Sequence, residues 1–318
     1  MLICRDLRSG TGCGAQNPDN ASVCAQCGRS LRYALALRNP NDRVTRYRIV
    51  RLIGHGGFGA VYEVEVVSRP GIRVTLKETF EPDSLATFEK EFAVLRDLRH
   101  DNLPRYFEVF EAGGSGFLVM ELVPGQSLED VLRKQSGPVL EKLVLHYADQ
   151  LCDVLGYLHN QNPPIMHRDV KPANIRLTPE GLIKLVDFGL FKQGTQTTRT
   201  ERHRAGSLAY APLEQWTGGT DQRSDIYSLG ATLYHLLTGR VPPAAGARSS
   251  TASDPLTPPR QVNPRISPLL ETTILTAMNL DRAQRFPSIA ALHTEVGRSA
   301  QAARGTTPLA LPRIAPPV

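Results

Sequence analysis

The chain has 318 residues, 41% of them hydrophobic and 21% charged, with a net charge of +6. That composition is globular and long enough for one large or two ordinary domains. No apolar run approaches membrane-spanning length. The opening "MLICRDLRSG" carries charge too early for a secretory signal, so a cytoplasmic protein is expected. The basic excess is largely arginine scattered through the first fifty residues. Scattered arginine reads as solvated surface, and nucleic acid is not an expected partner.

Residues 1–30 are rich in Gly, Asn and Cys and have almost no apolar periodicity, so something must staple them. Residues 31–43, ending in "RNPND", read as a linker. From Val44 the pattern becomes strand-like: "RYRIVRLIG", a glycine cluster, "AVYEVEVV", a turn at "SRPG", then "IRVTLKE". Phe88, Phe92, Leu95 and Leu98 make one stripe of a helix. Two strands follow, "RYFEVFEA" and "FLVMELV", parted by "GGSG". After Val123 the chain turns helical. Ser127 and Asp130 resemble an N-capping pair. Leu140, Val144, Tyr147, Leu151, Leu155 and Leu158 recur at helical spacing, with Cys152 among them as a buried thiol. "IRLTPEGLIKLV" predicts a hairpin turning at Pro179–Gly181. "SDIYSLGATLYHLLTG" is apolar nearly all round and predicts a central buried helix ending at Gly239. Residues 298–318 read as an Ala/Pro-rich disordered tail.

Three stretches carry the chemistry. "IGHGGFGAV" holds Gly54, Gly56 and Gly59. A dinucleotide turn would need a helix directly afterwards, but β-branched Val61, Val64, Val66 and Val67 follow, so the loop joins two strands. Glycines there let backbone N–H groups close over phosphates. Lys77 on the next strand is a candidate phosphate ligand, and Glu91, on the striped helix, is the carboxylate best placed to hold it. Glu89 is the competing choice. "IMHRDVKPANIRL" sets four ionisable residues between apolar stretches, which is expensive unless they are paired or used. The hairpin returns Asp187 to the neighbourhood of Asp169, eighteen residues earlier. Taken singly, each of these has a plain structural reading as a turn, cap or surface residue.

In their order, "GHGGFGAV", "VTLK", "HRDVKPAN" and "DFG" resemble the signatures of a eukaryotic-like protein Ser/Thr kinase of the kind also found in bacteria. The resemblance covers about residues 47–297. It implies an α+β, bilobal fold with a β-rich N-lobe (about 44–122), a helical C-lobe (about 123–297) and ATP in the cleft. It implies transfer of the ATP γ-phosphate to Ser or Thr hydroxyls of protein substrates with Mg2+ or Mn2+. By position, Asp169 would orient the hydroxyl, Lys171 would steady the phosphoryl group, and Asn174 and Asp187 would hold the metal. Ile53, Gly54, Gly56, Gly59, Val61, Lys77 and Glu91 would serve the nucleotide. Met120 would guard the adenine pocket, with Glu121 and Val123 at the adenine edge. Arg168 marks a kinase regulated by a phosphorylated segment, in which Thr195, Thr197, Thr198 and Thr200 are available and Thr198 or Thr200 is favoured. Glu214 would pair with Arg285, and Asp225 would brace the catalytic loop. Three places depart from the pattern, the first being the family's Ala-Pro-Glu ending, which reads "PLE" at 212–214. Thr75 replaces a usual alanine above the adenine, and Arg176 stands where an apolar residue commonly forms its floor, its stem covering the ring.

Cys4, Cys13, Cys24 and Cys27 fall in the first 27 residues. Cys13-Gly14 and the Cys24-x-x-Cys27-Gly28 run resemble zinc-ribbon knuckles. They imply a structural Zn2+ in a tetrahedral Cys4 site, with Cys4 the least regular member. Disulfides are the alternative, disfavoured in a cytoplasmic chain. The ribbon is expected to bind a partner protein or its own kinase domain. Two other readings stay open: a catalytically silent pseudokinase scaffold, and a nucleic-acid-binding ribbon with an attached kinase.

Overall fold

The computed structural model describes residues 1–6, 11–55, 59–79, 84–188, 208–251 and 253–304. They fall into two compact units. The first is built from Met1–Arg99 and Arg105–Leu122, the second from His100–Pro104 and most of the chain from Val123 onward.

The first unit begins with a small antiparallel sheet of β1 (Leu2–Asp6), β2 (Gln16–Asn17) and β3 (Ala34–Ala36), in the order β2-β1-β3. Beyond it a six-stranded sheet runs β4-β5-β6-β7-β9-β8, from β4 (Arg43–Val44), β5 (Tyr47–His55), β6 (Gly59–Val66), β7 (Arg73–Thr79), β8 (Tyr106–Ala112) and β9 (Ser115–Glu121). Helix α1 (Ser84–Leu95) packs on β8 and β9. Period-two alternation gives β6 its two faces. Tyr62 and Val64 are fully buried. Glu63, pointing the other way, is held by Arg51 and Arg73 at 2.7 and 2.6 Å.

The stretch read as a linker, 31–43, is part of the fold. Leu31, Leu35 and Leu37 are buried, and residues 34–36 form β3 against β1. Ile3, Leu35 and Leu37 share one hydrophobic core with Tyr47, Tyr62, Leu76 and Phe117 of the large sheet. Only Leu35 and Leu37 alternate as a buried strand face, because Tyr33 is exposed, and so short a signal is hidden between Arg32 and "RNPND". The residues around the cysteines have only a minor core of Cys4, Cys24 and Leu31, backed by small side chains, which is why composition predicts a need for a staple.

The second unit contains β10 (Gln126–Ser127), α2 (Leu128–Gln135), α3 (Glu141–His159), β11 (Ile175–Leu177), β12 (Ile183–Leu185), α4 (Glu214–Thr217) and α5 (Gln222–Thr238). After these come α6 (Ala245–Ser249), α7 (Pro259–Val262), α8 (Pro268–Ala277) and α9 (Ile289–Arg304). Ser127 and Asp130 form a full capping box at α2, a feature worth about 1 kcal/mol. Helix α5 is buried along nearly its whole length. It packs on α3 and α8, and α9 covers α3. Strands β11 and β12 pair as the predicted hairpin. The expected tail starts later than residue 298, because α9 continues to Arg304 and Ser299 is fully buried. The periodicity there is carried by alanine and serine, residues too small to read as a core stripe. Residues 305–318 lie outside the described residues.

Arg285, whose side chain is fully buried, forms a paired contact with Glu214 at 2.6 and 3.2 Å. Burial raises the pKa of Glu214, but hydrogen bonds from Arg285 and Ser224 outweigh it and hold the carboxyl below its ordinary value of 4.5. A depressed folded-state pKa adds stability above the unfolded value that disappears as pH falls through the folded one. Arg285→Met should therefore lose about 3 kcal/mol near neutral pH, by breaking a buried pair. The gap from wild type should narrow below about pH 4. Urea unfolding across pH measures this, and a gap that is the same in acid and at neutrality would contradict it.

Candidate active site

In the second unit the chain from His167 to Asn174 forms a loop on top of α5. Its brace is Asp225, a carboxylate with no exposure. Asp225 accepts the backbone N–H of His167 and of Arg168, each at 2.8 Å, and the ring N–H of His159 at 2.9 Å. Burial opposes its ionisation, but these donors hold its carboxyl below the usual range. Arg168 lies in the left-handed region with φ 65°, a conformation of about 1–3 kcal/mol that persists only where surroundings enforce it. The Asp225 acceptor and the Gln215 side chain, which donates to the Arg168 carbonyl at 2.7 Å, supply that enforcement. Thr232 of α5 adds a bond to the Val170 carbonyl at 3.3 Å.

The brace presents Asp169. Its carboxylate receives the Lys171 ammonium at 3.0 and 3.1 Å and the Asn174 amide at 2.8 Å. Asn174 also donates to the Asp169 carbonyl at 2.9 Å and approaches the Asp187 carbonyl at 3.5 Å. Asp187 follows β12 and takes φ 58°. The hairpin thus returns Asp187 to Asn174 and Asp169, as its turn position predicts. His167 is fully buried, with its ring 4.5 Å from that of Phe188 and its Nδ1 accepting the Asp169 N–H at 3.3 Å. It braces the backbone. The set offers two carboxylates and an amide oxygen, the hard donors that magnesium selects, with a cation alongside.

Arg176, on β11, turns its guanidinium to the Gly125 carbonyl, so its head is tied to the neighbouring strand. Val123 is buried in this unit.

In the first unit, Gly54 and Gly59 sit at the ends of β5 and β6, and Ile53 and Val61 flank them. Gly56 lies outside the described residues, as do Thr195, Thr197, Thr198 and Thr200. Lys77 on β7 pairs in register with Val61 and Leu118. Its ammonium lies 5.8 Å from the centre of the Phe88 ring. Phe88 and Glu91 are both buried and three residues apart on α1, so they share the face that meets Lys77. Glu89 is exposed. Thr75 sits opposite Met120, and its hydroxyl donates to the Glu121 carbonyl at 3.4 Å. The departure from alanine therefore spends its polarity on the backbone. His159 and Gln215 carry no motif signal. Only their chain positions, ahead of "HRD" and beside Glu214, point to them.

At the N-terminus, Cys4, Cys13, Cys24 and Cys27 bring their sulfurs within 4.8 Å of one another. Cys4–Cys27 and Cys13–Cys24 are each 3.5 Å apart, and all four are free thiols. Sulfurs about 2.3 Å from a common zinc would lie about 3.8 Å apart, so the cluster fits a tetrahedral ion. Burial works against ionising Cys24, but backbone N–H groups of Cys27 and Gln26 donate to its sulfur and lower its pKa to about 6. Gly14 and Gly28, each following a cysteine, adopt φ 79° and 69°. These left-handed turns suit glycine, and the two glycine amides donate to the Cys4 and Cys24 carbonyls at 3.1 and 2.8 Å.

A family model described as the protein kinase domain matches residues 47–294. Serine/threonine-protein kinase B of Synechocystis sp. is 32% identical over 257 residues, covering 74% of this chain and 42% of that protein. Serine/threonine-protein kinase PrkC of Bacillus subtilis is 31% identical over 261 residues, 79% of this chain and 40% of that one. The chain thus spans about two fifths of the length of these curated relatives. The crystal structure of the Mycobacterium tuberculosis PknI kinase domain aligns with a TM-score of 0.64 at 26% identity, covering 83% of this chain and all of that one. With a strand-rich unit, a helical unit and the Asp169 loop braced on α5, the chain belongs to the protein kinase family.

Proposed function

We propose that this chain is an ATP-dependent protein Ser/Thr kinase that uses Asp169, Lys171 and Asn174 for phosphoryl transfer. The observation that carries the reading is the Asp169 carboxylate, held between the Lys171 ammonium and the Asn174 amide on a loop braced by Asp225. Asp169, held by these donors, orients the hydroxyl of the incoming Ser or Thr. Lys171 offsets charge on the phosphoryl oxygens. Asn174 and Asp187 would hold magnesium or manganese, which when bound neutralises phosphate charge. Lys77, with Glu91 as its carboxylate partner, binds the α and β phosphates, and Gly54, Gly56 and Gly59 are the glycines that the family's phosphate loop requires. By position in the family's pattern, Met120, Glu121, Val123, Thr75 and Arg176 would serve the base. Arg168 receives a phosphate placed on Thr198 or Thr200. A silent scaffold is the weaker reading, because every ionisable group the transfer needs is present in the chain.

We also infer that the four cysteines hold one structural zinc, closed and without an open position for chemistry. A cytoplasmic setting keeps such thiolates reduced. Among the described residues no helix is long and apolar enough to cross a membrane.

Labelled phosphate from γ-labelled ATP should enter Ser/Thr-containing proteins and the chain itself. Asp169→Asn should lower the rate by about 100-fold or more, and intact mass with peptide mapping should place self-incorporated phosphate on Thr198 or Thr200. Equal incorporation by wild type and Asp169→Asn would remove Asp169 from the mechanism.

Metal analysis should find one zinc per chain, with four thiols that react only after chelation or unfolding. Stripping the metal should lower the melting temperature of the first unit, because ligand binding and folding are linked. No zinc and four freely reactive thiols in the native protein would refute the site.

A further inference from the structure

We propose that Arg38 is a positioning residue for nucleotide binding, supplied by the segment that closes the cysteine module and acting through Glu78 on Lys77 and the glycine loop. The inference rests on the reading that Lys77 binds ATP phosphates. Arg38 lies outside the residues that match the kinase model, 47–294.

Glu78 follows Lys77 on β7, and alternation turns its side chain to the opposite face of the sheet. It is 4% exposed, a setting in which a carboxylate must be paired. Arg38 pairs it side-on through the Nε–Nη2 edge of its guanidinium: Nε lies 3.1 Å from Oε1 and Oε2, and Nη2 lies 2.7 Å from Oε1. The guanidinium also lies 5.1 Å from the centre of the Phe117 ring, and the Arg38 backbone N–H donates to the Tyr62 hydroxyl at 3.2 Å. Phe117 is the register partner of Glu78 on β9, and Tyr62 belongs to β6. Arg38 therefore grips all three central strands from behind, anchored by Leu35 and Leu37 in the common core.

Two links lead to the nucleotide side. The first is the single peptide step from Glu78 to Lys77. The second is Gly59, the last glycine of the loop. A Cβ there would sit 2.0 Å from the Glu78 carbonyl oxygen, so β6 and β7 meet with no room to shift past each other. A displacement of Glu78 moves both the lysine and the root of the loop. A mere stabilising pair would change how much protein is folded. A positioning pair changes how tightly the folded protein holds ATP.

The test compares Arg38→Met, Arg38→Lys, Glu78→Gln, the Arg38→Met/Glu78→Gln double variant and Lys77→Met in the full chain. It measures KM for Mg-ATP, KM for a peptide substrate, kcat, equilibrium binding of a fluorescent ATP analogue, zinc content and thermal melting. Arg38→Met and Glu78→Gln should each weaken ATP by about five-fold, and the double variant should be no weaker than the worse single, as expected for one coupled pair. The kcat at saturating ATP, the peptide KM and the zinc content should stay within about two-fold, with Arg38→Lys intermediate. Should Arg38→Met fail to fold, Arg38→Lys and Glu78→Gln carry the comparison. Folded variants whose ATP constants match wild type would overturn the inference, whatever their stability. If Lys77→Met loses nucleotide binding while they match, only the role of Arg38 fails. If Lys77→Met binds nucleotide normally, the assignment of Lys77 fails and this inference with it.

Discussion

The candidate active site depends on one buried carboxylate. Asp225 sits without solvent at the start of α5 and accepts two backbone N–H groups and one imidazole N–H. A buried charge of this kind is tolerable only when its lone pairs are taken up. Here the partners are the loop that carries Asp169. The cost of burying Asp225 and the cost of bending Arg168 into the left-handed region are offset by the same hydrogen bonds. That sharing lets a loop of ionisable residues stand on an apolar helix in one conformation.

The remaining chemistry follows from charge. Phosphoryl transfer offers little covalent work to a protein, so rate comes from placing cations and donors around the phosphate oxygens. Lys171 and Asn174 converge on Asp169 within 3.1 Å, and Asp187 returns on the hairpin. Lys77 is fixed on a central strand whose other face is held by Arg38. Ile3, Leu35 and Leu37 of the N-terminal segment share one hydrophobic core with Leu76 of that strand, while Cys4 and Cys24 keep a minor core of their own. The small N-terminal sheet thus packs on the large sheet through shared apolar side chains while keeping its own strand pairing.

Motif residues were legible through resemblance to a family's pattern, carried by short local runs. The glycine loop, Lys77, Asp169, Asn174 and Asp187 each sit in a short run whose pattern also gives its strand, turn or hairpin. Helix α5 was legible from its all-round apolarity and the glycine that follows it. What escaped was set by distant contacts. Arg38 and Glu78 are forty residues apart, and nothing in either neighbourhood names the other. Residues 31–43 looked like a linker because the alternating leucines are few and lie among arginines. Their burial depends on a sheet formed later in the chain. The C-terminal turns of α9 bury serine and alanine, which carry too little apolar weight to mark a core. His159 and Gln215 matter only through a backbone bend that no propensity foretells.

The most direct measurement is the effect of Asp225→Asn on phosphoryl transfer and on nucleotide binding, made on the same folded preparation. Loss of the charge weakens the grip on the His167 and Arg168 amides and lets Asp169 drift. Misplacement of about 1 Å at a reacting group is enough for roughly 100-fold in rate. The kcat should fall by about that size while ATP affinity stays within about two-fold, since Lys77, the glycine loop, Val123 and Arg176 do not hang on the Asp225 hydrogen bonds. A variant that folds, binds ATP and transfers phosphate at the wild-type rate would contradict it.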